Sequence, residues 1–281
     1  MEPYSRIFRP EILGFKNHTP CLNPGDVTCS CPSTGLSFTA WRDAYDNRFV
    51  DPTCIIIKIH GAFSLSLTPS PTPSSYSVSA PASASASFTS CSTTDWSQNT
   101  AIPSWTNTQS TYPTTLAPVD ATTAYGLFFG LNSPRNSAGT VPHILYEQSK
   151  PHVDLFAAGM ALMHLLQTVV NFSNPVNGGI RNVVLVTDSN YLFSCLTEHV
   201  YAWQKKGYRN AKGKEVSNAN AVKWVESLVE NFEGRGVGVR FWKVNKKDNG
   251  EAIDPARRVL EIHEEFRRRH GISPFLNIGA V

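Results

Sequence analysis

The chain has 281 residues, 41% of them hydrophobic, and a formal net charge of +3. It contains no apolar run of about 18 residues, which excludes a transmembrane helix. Its N-terminus lacks the basic-then-apolar layout of a signal peptide. The six cysteines are scattered rather than spaced as a disulfide framework. We therefore expect an intracellular protein, nuclear or cytoplasmic, with no membrane partner.

The first half of the chain alternates between ordered and low-complexity composition. Residues 1–50 show little periodicity and predict an irregular N-terminal extension. Its aromatic residues are expected to pack on the core: Phe8, Phe15 and Trp41. The β-branched run Cys54-Ile-Ile-Ile-Lys-Ile-His60 predicts the first strand of a domain over 51–270. Residues 64–120 are rich in Ser, Thr, Pro and Ala and lack Lys and Arg, so we predict a disordered insert.

The second half alternates between strand and helix patterns. Strands are predicted near 124–130, 142–147, 183–187 and 237–244, with a turn-rich segment at 132–139. Helices are predicted at 151–170, 189–203, 219–233 and 255–270. In the first helix, apolar residues recur at helical spacing: Leu155, Ala158, Leu162, Leu165 and Val169. Three strands in a meander, then two strands reached through helices, predict an α/β fold with a five-stranded mixed sheet flanked by helices. Residues 271–281 are left as a C-terminal tail.

Acidic residues fall where this layout brings strand ends and helix starts together. Asp188 ends the fourth strand, Asp154 lies in the first turn of the first helix, and Asp254 opens the last helix. The end of the first strand is expected beside Asp188. Converging carboxylates hold divalent metals, which prefer oxygen ligands. Each residue also has a plainer explanation: Asp188 with Ser189 caps a helix, and the other two favour helix starts.

The ordered segments resemble the ribonuclease H family, in the form common among fungal proteins, over roughly 54–63 and 124–260. Ile57-Lys-Ile-His60-Gly-Ala is similar to the family's first strand, which ends in Asp-Gly. Val186-Thr-Asp188-Ser-Asn-Tyr matches its third acidic motif. The resemblance implies a ribonuclease H-like fold and endonucleolytic hydrolysis of the RNA strand of RNA–DNA hybrids, with Mg²⁺ or Mn²⁺ as cofactor.

A basic segment between the second and third helices strengthens the resemblance. Residues 203–214 hold five basic residues and no acidic residue. This segment is similar to the family's Trp- and Gly-marked handle, which holds the hybrid. The resemblance implies contacts with an RNA–DNA hybrid or structured RNA from Trp203, Lys205, Lys206, Tyr208, Arg209, Lys212 and Lys214. We expect the protein to act as a monomer.

The acidic motifs depart from the family pattern at three of four positions. His60 replaces the first aspartate, and Asp154 replaces a glutamate and is one methylene shorter. Aligning on Ala252 places Ile253 where the last aspartate belongs, so Asp254 matches only after a shift of one residue. The resemblance implies that Asp188, Asp154 and Asp254 ligate metal and that His60 joins them in catalysis. His60 can equally be a strand-end histidine hydrogen-bonded to a neighbouring carbonyl.

These departures leave three hypotheses for function. The protein is a hybrid nuclease weakened by the loss of its first carboxylate, because that carboxylate normally bridges both metals. Alternatively, it binds RNA–DNA hybrid or structured RNA without cleaving it. In the third hypothesis it is a protein-interaction scaffold in which the 64–120 insert is the functional part.

Overall fold

The computed structural model describes residues 6–10, 27–42, 48–66, 120–141, 149–168 and 179–270. The strands are β1 (Thr28–Cys31), β2 (Leu36–Arg42), β3 (Arg48–Ser66), β4 (Asp120–Phe128), β5 (Ser137–Thr140), β6 (Asn182–Thr187) and β7 (Gly238–Lys243). The helices are α1 (Lys150–Thr168), α2 (Asn190–Ser194), α3 (Val200–Lys205), α4 (Ala219–Gly234) and α5 (Gly250–His270). A π-helical turn (Cys195–His199) joins α2 to α3, and a 3-10 turn (Lys246–Asn249) precedes α5. Every helix within these ranges is too short or too polar to cross a membrane.

Strand β3 is the centre of the sheet because it has partners along both edges. On one edge β6 runs parallel to it, and β7 runs parallel to β6. On the other edge β2 and β4 follow each other, both antiparallel to the 19-residue β3. β1 pairs with β2, and β5 pairs with β4. The predicted mixed sheet flanked by helices is confirmed, and the described sheet has seven strands rather than five.

The two additional strands lie in the region predicted to be irregular. β1 and β2 pair with each other, and β2 pairs with the first half of β3, from Arg48 to Ile56. β1 (TCSC) is short and has no apolar alternation, so pairing rather than a hydrophobic pattern defines it. Phe8 is buried and its ring lies 5.4 Å from that of Trp242, so one predicted aromatic contact with the core is confirmed. Phe15 lies outside the described residues.

The strand near 124–130 is confirmed, but its partner begins earlier than predicted. β5 occupies 137–140, inside the segment predicted to be a turn. The reason is the side chain of Asn136, whose Oδ1 accepts the N–H of Phe129 (2.7 Å) and whose Nδ2 donates to the carbonyl of Gly130 (2.8 Å). These bonds close the turn before residue 137, so pairing with β4 resumes there. The predicted strand at 142–147 lies wholly outside the described residues.

The predicted insert at 64–120 is shorter than its composition suggested at both ends. β3 continues to Ser66 and β4 begins at Asp120, and these two residues face each other across the ladder. Residues 67–119 and the tail 271–281 lie outside the described residues. The four predicted helices are confirmed, with α5 starting five residues earlier than expected and a π turn dividing the second helix.

Side chains of β3 alternate between two cores, as the period of a strand requires. Ile55, Ile57 and Ile59 belong to the main core, which also contains the apolar faces of α1 and α4. Ile56 packs in a second core on the opposite face, with Val184 and Trp242. The predicted apolar positions of α1 within the described residues are all buried: Leu155, Ala158, Leu162 and Leu165. By the same alternation, Lys58 and His60 project toward the second face.

The N-terminal residues extend the sheet beyond β7. Ile7 forms a parallel bridge with Phe241, and the N–H of Phe8 donates to the carbonyl of Phe241 (2.9 Å). Beside this bridge, the guanidinium of buried Arg6 lies 2.7 Å from the carboxylate of buried Glu226 on α4. Burial lowers the pKa of Arg6, but the hydrogen bond and charge of Glu226 outweigh it, so the net pKa is raised. The ion pair ties the N-terminal segment to a helix on the main core.

Replacing Arg6 should destabilise the fold strongly. Arg6→Met leaves the carboxylate of Glu226 buried and unpaired, and breaking such a pair costs about 3 kcal/mol. Chemical denaturation measures the free energy of unfolding. Arg9→Met is the matched control, because Arg9 lies on the same segment and is exposed. Equal stability of the two variants would show that the pair contributes little.

Gly61 should tolerate no larger residue. A Cβ at this position would lie 2.6 Å from the backbone carbon of Val153 and the backbone nitrogen of Asp154. Gly61→Ala therefore forces α1 away from β3, and we expect a loss of roughly 1–3 kcal/mol in the free energy of unfolding. At Gly234 a Cβ meets nothing within 4 Å. Thermal unfolding of Gly234→Ala should match the unmodified chain, and a Gly61→Ala variant of equal stability would contradict the close approach.

Candidate functional site

The parallel register of β3 and β6 brings two chemically active side chains together. Lys58 pairs with Val186, so His60 lies level with Asp188, just beyond the end of β6. His60 Nδ1 and Asp188 Oδ1 are 2.8 Å apart, and both side chains are almost fully buried. His60 and Asp188 are neighbours as expected, but the strand does not end there, because β3 continues to Ser66. The alternative for His60 is corrected: its hydrogen-bond partner is this carboxylate and not a neighbouring carbonyl.

A buried amide completes this pair. The Nδ2 of Asn249 donates to Asp188 Oδ1 (2.8 Å) and to the carbonyl of Ile59 (3.0 Å), and Asn249 is fully buried. Lys58 holds the segment in place, because its ammonium donates to the carbonyl of Asp248 and to the carboxylate of Glu251 (2.7 Å). Sequence reasoning missed the role of Asn249. The only local signal is its position just before the last helix.

Asp188 is free to act as a charged group because a neighbour performs the capping. The Oγ of Ser189 accepts the N–H of Leu192 (3.3 Å) and caps α2. Burial raises the pKa of Asp188, but hydrogen bonds from His60 and Asn249 and the charge of Lys150 outweigh it and lower the pKa to about 2. Asp188 is therefore a carboxylate at neutral pH. The residue that caps the helix is therefore Ser189 and not Asp188.

Asp154 lies next to the same strand end, held by a different set of donors. Its Oδ1 accepts the N–H of Gly61 (3.1 Å), and it forms an ion pair with Lys150, one helical turn earlier. The side chain is buried. α1 begins at Lys150, so Asp154 lies in the second turn rather than the first. The helix dipole therefore does not explain Asp154, because its stabilisation of a carboxylate falls off beyond the first turn.

Asp254 does not join these residues. α5 begins at Gly250, which places Asp254 in its second turn, where the side chain is 58% exposed and lies 3.5 Å from Arg257. The preceding residue, Ile253, is buried instead. Among the residues with described positions, no group of three or more His, Cys, Asp or Glu is arranged to hold a metal ion. Of the three carboxylates expected to converge, Asp254 therefore lies apart from the other two.

The residues present do not fit the pair of divalent cations that the resemblance implies. Mg²⁺ requires near-octahedral oxygen coordination, and Mn²⁺ also prefers oxygen ligands. Here Oδ1 of Asp188 accepts from Asn249 and contacts His60, while Oδ1 of Asp154 accepts from a backbone N–H and an ammonium. A fixed positive charge on Lys150 also lies where a cation would bind Asp154. The site is therefore organised around hydrogen bonds and an ion pair.

The basic segment forms a compact loop that points its charges outward. Its backbone turns at Gly207 and Tyr208, which have φ of 59° and 58°. The Oδ1 of Asn210 accepts the N–H groups of residues 212 and 214. All five basic side chains of the loop are exposed: Lys205, Lys206, Arg209, Lys212 and Lys214. The loop, defined as residues 205–217, thus presents a positive surface, and hydrogen bonds within the loop hold its backbone.

The two aromatic residues of this segment support the loop from below. Trp203 and Tyr208 are half-buried and pack against the main core. The ammonium of Lys223 lies 5.1 Å from the centre of the Tyr208 ring. Tyr191, three residues after Asp188, donates its hydroxyl to the carbonyl of Ser217 (3.0 Å). This bond connects the basic loop to the helix that follows Asp188.

Comparisons with known proteins find sequence matches to ribonuclease H. Residues 121–250 match the family model for RNase H. A ribonuclease H of Aliivibrio salmonicida is 32% identical over 101 residues, covering 35% of this chain and 61% of the relative. A ribonuclease H of Tropheryma whipplei is 37% identical over 51 residues, covering 18% of this chain and 32% of the relative. The chain thus spans less than two thirds of the length of these relatives.

Solved structures with a similar arrangement include the foamy virus (PFV) RNase H domain, at a TM-score of 0.40 and 13% identity, covering 74% of this chain and 94% of that domain. Another is an RNase H domain from Mycobacterium tuberculosis, at a TM-score of 0.35 and 9% identity, covering 75% and 97%. The assignment rests on the sequence matches together with the ordered acidic motifs and basic loop. Together these matches support a ribonuclease H family domain in this chain.

Proposed function

We propose that this protein binds RNA–DNA hybrid duplexes through its ribonuclease H domain and that it cleaves them poorly or not at all. The observation that carries the proposal is the basic loop, which presents five exposed cations on a well-connected backbone within a domain of this family. Exposed Lys and Arg side chains bind the phosphates of a duplex and supply sequence-independent affinity.

The proposal of poor cleavage follows from the acidic site. Two-metal hydrolysis needs carboxylates that hold both cations beside the scissile phosphate. His60 offers one nitrogen where the family has a carboxylate, and that ring already contacts Asp188. Asp254 faces solvent. Removing a group that stabilises transition-state charge typically costs on the order of 10²–10³-fold in rate.

A second candidate function is weak metal-dependent cleavage of the RNA strand. One observation favours it: Asp188 is ionised, and Asp154 lies against the residue that follows His60. Two carboxylates are thus close to the same strand end. In this candidate Asp188 and Asp154 bind Mg²⁺ or Mn²⁺, and His60 assists.

Removing positive charge from the basic loop should weaken hybrid binding. Lys206→Ala/Lys212→Ala removes two phosphate contacts, so the salt dependence of log K should become shallower by about 2, one unit per contact. Fluorescence anisotropy with a labelled RNA–DNA hybrid measures this slope, with double-stranded RNA and DNA duplexes as competitors. Arg235→Ala/Arg258→Ala removes the same charge from exposed positions elsewhere. Equal slopes for both variants would place the binding surface outside the loop.

Cleavage by the unmodified protein should not exceed that of an Asp188→Asn variant. A labelled hybrid is incubated with each protein in Mg²⁺ and then in Mn²⁺, and the products are separated on a denaturing gel. Asp188→Asn keeps the size of the side chain and removes its charge, so it sets the background. Cleavage by the unmodified protein that Asp188→Asn abolishes would establish the second candidate function.

A further inference from the structure

Lys150 places its positive charge against one carboxylate of the site, that of Asp154. Its ammonium forms an ion pair with Asp154, and its charge also lowers the pKa of Asp188. The side chain of Lys150 is 41% exposed, whereas that of Asp154 is 4% exposed. The ammonium is therefore at the rim of the site, bound to a buried carboxylate on one side and open to solvent on the other.

One oxygen of each carboxylate that a metal would need is already in use. Asp154 Oδ1 accepts the N–H of Gly61 and the Lys150 ammonium, and Asp188 Oδ1 contacts His60 and accepts from Asn249. Buried carboxylates require such compensation, because an unpaired buried charge is costly. The chain supplies this compensation itself.

The last helix, α5, adds no carboxylate to this group among the described residues. Ile253 is buried on α5, and the next residue, Asp254, pairs with Arg257 in solvent. A divalent cation entering here would find no third carboxylate among the described residues and would approach a fixed ammonium. Like charges in a partly buried site repel each other strongly.

We propose that Lys150 permanently supplies the positive charge for which the family uses divalent metal, and that its exposed ammonium binds a phosphate of the hybrid without metal. The second part, the phosphate contact, rests on the proposed function, because it requires that the protein bind hybrid. Its first part, the exclusion of metal, concerns the protein alone. A lysine is a suitable point charge for a phosphate.

Mn²⁺ binding tests the first part without any nucleic acid. Free Mn²⁺ is followed by electron paramagnetic resonance during titration into the protein. The unmodified protein should take up no Mn²⁺ at this site. His60→Asp/Lys150→Gln should take up Mn²⁺, and adding Asp188→Asn should abolish that uptake.

Three results would overturn the exclusion of metal by Lys150. The first is uptake by the unmodified protein that Asp188→Asn removes. The second is equal uptake by His60→Asp alone, since Lys150 would then exclude nothing. The third is no uptake by a His60→Asp/Lys150→Gln variant whose circular dichroism shows it to be folded.

Hybrid affinity tests the second part. At matched ionic strength, the unmodified protein should bind hybrid equally in Mg²⁺ and in EDTA. Lys150→Gln should weaken binding roughly tenfold, the loss of one charge-assisted hydrogen bond. Lys150→Arg should retain binding because it keeps the charge. Lys150→Gln/Asp154→Asn removes both partners, which avoids an unpaired buried carboxylate, and should lose affinity to the same degree.

Failure of this inference differs from failure of the proposed function. If the unmodified protein binds no hybrid, the proposed function fails, and so does the phosphate contact, while the Mn²⁺ titration still decides the exclusion of metal. If it binds hybrid only with Mg²⁺, or if Lys150→Gln binds as tightly as the unmodified protein, the role of Lys150 fails and the basic loop remains the binding surface.

Discussion

The parallel pairing of β3 with β6 is the constraint on which the rest of the site depends. This register places His60 level with Asp188 and brings their side chains to 2.8 Å. A shift of one residue would send His60 to the opposite face of the sheet, because side chains alternate along a strand. Burial on both faces of β3 makes such a shift costly. The sheet therefore holds the chemistry of the site as firmly as it holds the core.

Around this pair, the chain balances its buried acidic charge with its own donors. Asp188 is satisfied by His60 and Asn249, and Asp154 by Lys150 and a backbone N–H. In a two-metal site the bound cations supply that positive charge. Here side chains and a backbone N–H of the protein supply the hydrogen bonds and positive charge that balance the carboxylates. The proposed binding of nucleic acid through the basic loop does not require the acidic site to hold metal, so binding can persist without cleavage.

Elements defined by local sequence patterns could be predicted, and elements defined by contacts between distant residues could not. The helices and the buried strands carry patterns within a short stretch of sequence, and Leu155 and Leu162 are buried as their spacing indicated. β1 and β2 were not predicted, because β1 depends on pairing with β2 and β2 on pairing with the first half of β3. The start of β5 escaped because a side chain, Asn136, closes the turn before it. Contacts of this kind leave no periodic signal.

The sequence by itself determined the α/β layout, the family resemblance, the strand-end position of Asp188 and the basic character of the loop, because each is written in local composition or in ordered motifs. Only the tertiary structure decided which charged groups meet. Asp254 turns to solvent while Asn249 reaches the site, although both lie near the start of α5. One residue along a helix rotates the side-chain direction by about 100°, which is why Ile253 is buried while the next residue, Asp254, faces solvent.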